Sequence, residues 1–214
     1  MTWSAEEARA AVDLARRAVA AHLGPNAPAD PAAPFRGAPL PPVFDERLGV
    51  FVTLKRASDH ALRGCIGYPR PHEPLRSAIP RVAVASAVED PRFPPVAAPE
   101  LSRLLVEISV LTAPVLVPGR TASERRASIV VGRDGLIIEG RGGSGLLLPQ
   151  VPVEQGWSVD EFLAGICEKA GLFPDAWIDL TTRLYRFEAV VFGETAPAGA
   201  VAFVPLSPTS GPAP

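Results

Sequence analysis

The sequence predicts an α+β protein: a duplicated strand-strand-helix-strand unit, forming a mainly antiparallel sheet flanked by helices, with a cleft between two lobes. Three observations predict it. Short β-prone runs come in pairs joined by polar or glycine-rich turns. Each pair is followed by a helical stretch and then a further β-prone run. That order occurs twice, over about 49–112 and 129–193, the mark of an internal duplication.

Taken in order, Ser4 followed by Glu7 is a capping box, because the hydroxyl can accept from the Glu7 amide while the carboxylate returns to the Ser4 amide. A helix over 4–23 follows, with Ala8, Val12, Ala15, Val19 and Leu23 on one stripe and Gly24-Pro25 ending it. From Asn26 to Pro42 the chain is rich in proline and poor in apolar anchors, which predicts an extended connector. Val50 to Leu54 and Leu62 to Tyr68 form a hairpin around the polar turn Ala57-Ser58-Asp59-His60. The stretch Glu73 to Glu89 reads as a helix, with Pro80 as a kink or break. Leu104 to Thr112 alternates as a strand, Val106, Ile108 and Val110 on one side and Glu107 and Ser109 on the other.

In the second half, Gly135 to Glu139 and Gly145 to Pro149 flank a glycine-rich turn. Val159 to Leu172 is a helix capped by Ser158 with Glu161, and Leu184 to Phe192 is a strand. Residues 1–194 are thus expected to form one domain, with 195–214 as a loosely held tail rich in proline and alanine.

Composition narrows the function. The 214 residues carry a net charge of -2, which argues against a general grip on nucleic acid, since that needs a basic face to release counterions from phosphates. No apolar run approaches the length of a membrane span, and the first residues lack a basic and apolar leader, so a cytoplasmic protein is expected. Cys65 and Cys167 match no zinc or disulfide spacing, and no cofactor or metal is indicated. Arginine greatly outnumbers lysine, with Lys55 and Lys169 the only lysines, a bias of G+C-rich codons read as a bacterial genome signature.

The segment Leu62-Arg63-Gly64-Cys65-Ile66-Gly67 concentrates the chemistry. On a regular strand Arg63 and Cys65 share a face, and a guanidinium beside a thiol favours the thiolate. Gly64 and Gly67 weaken a strand unless a backbone or ligand approaches closely.

With this hexapeptide stand Gly49 to Leu54, Asp90-Pro91-Arg92-Phe93-Pro94, Glu107 to Leu111, Gly132-Arg133-Asp134-Gly135-Leu136, Leu147 to Val151 and Glu154-Gln155-Gly156-Trp157. In these motifs and their order the chain resembles the AMMECR family, in its bacterial form AmmeMemoRadiSam system protein A. The resemblance implies an α+β fold with a duplicated strand and helix arrangement. It also implies association with a Memo-like protein and a radical S-adenosylmethionine (radical-SAM) protein. The family often carries histidine where this chain has Asp134, so no imidazole role is carried over to that position.

The candidate site follows. Cys65 is the thiolate candidate and Glu107 a proton carrier on the strand face away from the core. Arg63, Gly64, Asp90, Arg92, Asp134 and Trp157 are the binding candidates, each with a structural role as its alternative: an internal ion pair for Asp90 and Arg92, a turn for Asp134, a packing staple for Trp157. His22 and His72 are read as surface residues, and Cys167 as core. The expected ligand is a small molecule or peptide, bound with no nucleic acid or membrane involved. An enzyme using Cys65 and a non-catalytic interaction module are the alternatives.

Overall fold

A computed structural model describes residues 2–70 and 73–205. The chain divides into two compact units, one of Met1–Leu111 with Val190–Val204, the other built on Thr112–Ala189. His72 and residues 206–214 of the expected tail lie outside the described residues.

In the first unit helix α1 (Ala5–His22) starts where the capping box places it: Ser4 N–H donates to Glu7 Oε2 at 2.8 Å, and Glu7 N–H donates to Ser4 Oγ at 3.2 Å. Strands β1 (Gly49–Arg56) and β2 (Leu62–Tyr68) form the hairpin, helix α2 (Leu75–Val88) follows, and β3 (Leu104–Leu111) returns on the other side of β1. The alternation of β1 and β3 sends Val50, Val52, Leu54, Val106, Ile108 and Val110 into a core shared with Val12, Ile79, Val82 and Phe44. Each such fully buried aliphatic side chain contributes about 1.5–3 kcal/mol, which makes this helix-covered face the main source of stability. A buried ion pair between Arg16 of α1 and Glu194 ties the helix to the end of strand β7 (Arg183–Glu194), and Glu194 also accepts the Val106 N–H at 2.9 Å.

The second unit repeats the plan. β5 (Asp134–Gly140) pairs antiparallel with β6 (Gly143–Leu147) on one side and with β7 on the other, as β1 does with β2 and β3. Helix α5 (Val159–Lys169), capped by Ser158 and Glu161, buries Phe162, Leu163, Ile166 and Cys167 against Leu136, Ile138 and Leu184. The repeat extends to one detail of packing. A Cβ on Gly64 of β2 would come under 3.0 Å from the carbonyl oxygen of Ser86 on α2, and one on Gly143 of β6 would come as close to that of Ala170 at the end of α5. In both units the helix backbone rests on a glycine of the second hairpin strand.

Several expectations change. The connector is anchored rather than simply extended, because short 3-10 turns at Ala33–Phe35 and Pro42–Asp45 bury Phe35 and Phe44, and Asp30 holds Arg81 of α2. Pro80 neither kinks α2 to an end nor breaks it. It sits in the second turn, where a single backbone bond is lost and burial of the surrounding residues holds the helix. The expected tail begins with structure: Thr195 N–H donates to Ala200 O, β8 (Val201–Phe203) pairs with β7, and Phe203 meets the Phe192 ring edge-on. His22 is half-buried instead of a surface residue. Strand β4 (Val115–Leu116) and the short helices α3 (Ala122–Ala127) and α4 (Gln150–Glu154) carry too few periodic residues to be read from sequence.

Candidate functional site

The site is built on β2, at the edge of its sheet. Opposite β1 the register slips between Leu54 and Lys55, so Leu54 faces Gly64 while Lys55 faces Leu62. Arg63 is therefore the extra residue of a bulge, and a bulge re-aims its side chain. The guanidinium turns to Glu100, with Nε 3.0 Å from Oε1, and to the Pro94 carbonyl at 2.9 Å. This overturns the expected pairing of Arg63 with the Cys65 thiol, which assumed an unbroken alternation.

Asp90 and Arg92 take up the backbone of Cys65 instead. Cys65 N–H donates to Asp90 Oδ2 at 2.8 Å, and Arg92 Nη2 donates to Cys65 O at 3.2 Å and to Asp90 Oδ2 at 2.7 Å. Together they close an exposed sheet edge at this residue, as a neighbouring strand would. The Arg92 guanidinium holds the buried Asp90 carboxyl well below the usual carboxylate range, against the effect of burial. On the inner side, Ser86 Oγ accepts the Ile66 N–H at 2.9 Å and lies 2.8 Å from Val52 O, which joins α2 to both hairpin strands.

The surroundings of the thiol disfavour its ionised form. Burial pushes Cys65 up, and this outweighs the Thr53 hydroxyl, 3.3 Å from Sγ, and the charge of Arg92. These surroundings run against the thiolate expected from sequence. No described histidine is hydrogen-bonded to it; His60 ends the hairpin turn with a positive φ.

What the sheet does present is a row. Thr53 faces Cys65 on one side and Glu107 on the other, so the three lie side by side across β2, β1 and β3, on the face opposite the helices. All three are half-buried. Lys55 Nζ lies 2.7 Å from Glu107 Oε2, and the Phe51 ring covers Gly67. A thiol, a hydroxyl, an ion pair and an aromatic ring on one partly open face suit the binding of a polar ligand. Sequence reasoning missed Thr53 and Lys55; their alternation with Phe51 on β1 is the signal that carries them.

Asp134 and Trp157 belong to the second unit. Asp134 opens β5 and is buried, accepting from Val130 N–H at 2.8 Å and from Arg133 Nε at 2.9 Å, so its carboxylate is consumed in holding the 130–134 turn. The Trp157 ring lies over Gly165 of α5 and packs on the second core, the staple role. Cys167 is fully buried in that core. Among the described residues no group of three His, Cys, Asp or Glu is placed to hold a metal ion, and no helix is long and apolar enough to cross a membrane.

The chain is similar to known proteins over most of its length. It is 50% identical over 198 residues to protein PH0010 of Pyrococcus horikoshii, covering 91% of this chain and 93% of that one. It is 50% identical over 161 residues to a protein of Methanocaldococcus jannaschii, 75% of this chain and 80% of the relative. The crystal structure of the uncharacterised Pyrococcus horikoshii protein superposes with a TM-score of 0.83 at 48% identity, covering 94% of this chain and 97% of that one. These relatives are archaeal, so the similarity reaches the family and does not single out its bacterial form. The AMMECR1 family model matches residues 12–192, a span that holds the first repeat, nearly all of the second and every residue of the row, and the chain belongs to the AMMECR1 family.

Proposed function

We propose that this protein is an accessory component of a cytoplasmic radical-SAM and Memo-like system. On this reading, the sheet face at Cys65, Thr53 and Glu107 binds a small molecule or a peptide segment. The observation that carries the reading is the row itself: polar side chains on three adjacent strands, left half-open on a sheet whose other face is sealed by helices. Asp90 and Arg92 support it, because they hold the Cys65 peptide rigid from outside the sheet. A binding role fits better than nucleophilic attack, since burial raises the thiol and no described histidine is hydrogen-bonded to it. The bacterial form of the family, AmmeMemoRadiSam system protein A, is the finer assignment within this proposal.

Metabolite profiling of a deletion strain tests it. The profile is expected to match those of strains lacking the Memo-like or the radical-SAM protein. Unrelated profiles, together with failure of the three proteins to co-purify at micromolar concentrations, would sink the proposal.

A further inference from the structure

A second site lies in the first unit, away from the row. Arg56 and Ser58 from the β1–β2 turn, Glu100, Ser102 and Arg103 from the 3-10 turn before β3, and Pro197 from the β7–β8 turn surround a cavity of about 470 Å³. That volume is within the range of small-molecule pockets. Its charges are unequally committed. Arg56 is held by Asp59, with Nη2 to Oδ2 at 2.7 Å, and Glu100 is held by Arg63. Arg103 makes no salt bridge among the described residues and stands exposed at the wall, where its charge, after that of Arg63, helps to hold the Glu100 carboxyl below its ordinary range. The rest of the lining mixes the hydroxyls of Ser58 and Ser102 with apolar Ala57, Pro197 and buried Leu104.

Backbone strain marks the same place independently. His60 (φ 57°) and Ala198 (φ 54°) are the only non-glycine residues with positive φ among the described residues. They sit in the two hairpin turns that border this cavity. Side chains rarely adopt this conformation, and residues held in it concentrate at ligand sites.

We propose that this cavity binds a small amphipathic anion, its carboxylate or phosphate on Arg103 and its apolar body against Leu104 and Pro197. The site goes beyond the face at Cys65 and shares no residue with the row. Glu100 links the two regions, because the carboxylate that lines the cavity also anchors Arg63 at the bulge of β2.

Calorimetric titration of the full chain with octanoate, with octyl phosphate and with octyltrimethylammonium as the cationic control tests the proposal. Saturable one-to-one binding is expected for at least one anion and not for the cation, and the two anion arms decide between carboxylate and phosphate. Arg103→Met is expected to weaken that binding at least tenfold. Ser58→Trp, an exposed change that fills the cavity, is expected to abolish it. Absence of saturable anion binding, equal binding of the cation, or a titration left unchanged by either variant overturns the proposal.

Discussion

Gly64 lies directly against the backbone of Ser86: a Cβ at Gly64 would come under 3.0 Å from the Ser86 carbonyl oxygen. The obstacle is backbone, so α2 or β2 must shift to admit even one methyl group. Gly64→Ala is expected to destabilise the protein by about 3 kcal/mol. Gly67→Ala meets Cγ of the Phe51 ring and the Val50 carbonyl oxygen, both under 3.0 Å, and is expected to destabilise as well. Urea midpoints of the two variants check this; an unchanged midpoint for Gly64→Ala contradicts the packing described.

Asp90 is a buried carboxylate with a partner that is half in solvent. Asp90→Asn weakens the hold on Arg92 and on the Cys65 N–H, and a loss of about 2 kcal/mol is expected, below the value for a wholly buried pair. The sign with pH follows from its lowered pKa. The stabilisation is complete above the unfolded value near ~3.9 and is lost as pH falls below it. Urea unfolding of wild type and Asp90→Asn between pH 6 and 3 should therefore converge toward the acid end, and a constant gap would contradict the assignment.

Alkylation of Cys65 by iodoacetamide is expected to be slow at neutral pH, with an apparent pKa above the roughly 8.5 of a free cysteine, since burial raises it. Arg92→Gln removes a charge that favours the thiolate and is expected to raise it further. Rates measured from pH 6 to 10 on Cys167→Ala protein separate the two thiols. A midpoint near 7 would restore the activated nucleophile.

The two repeats and both capping boxes were legible because their signals are local. Ser4 with Glu7 and Ser158 with Glu161 act across one helical turn, and β1 and β3 alternate residue by residue. The site was legible in its residue types and not in its pairings. Arg63 finds Glu100 and Lys55 finds Glu107 across long separations in sequence, contacts that only the bulge and the strand register decide. Phe35 anchors a connector that looked bare because one buried ring among prolines has no period to betray it.

Lys55 and Glu107 form a part-buried pair, with Glu107 the more buried partner. Lys55→Met is expected to cost about 1–2 kcal/mol while impairing function, since the pair lies on the face proposed to hold ligand. Thermal unfolding alongside complementation of the deletion strain checks both parts; full complementation counts against the face.

The clearance rate of the metabolite that accumulates in the deletion strain, measured after induction of variants, tests the binding face most directly. Cys65→Ala loses one contact and is expected to clear it within about 100-fold of wild type, whereas Thr53→Trp, folded but with the row obstructed, is expected to fail. Loss of a covalent nucleophile would instead cost on the order of 10⁶-fold. Such a collapse in folded Cys65→Ala, or undiminished clearance by Thr53→Trp, would contradict the account.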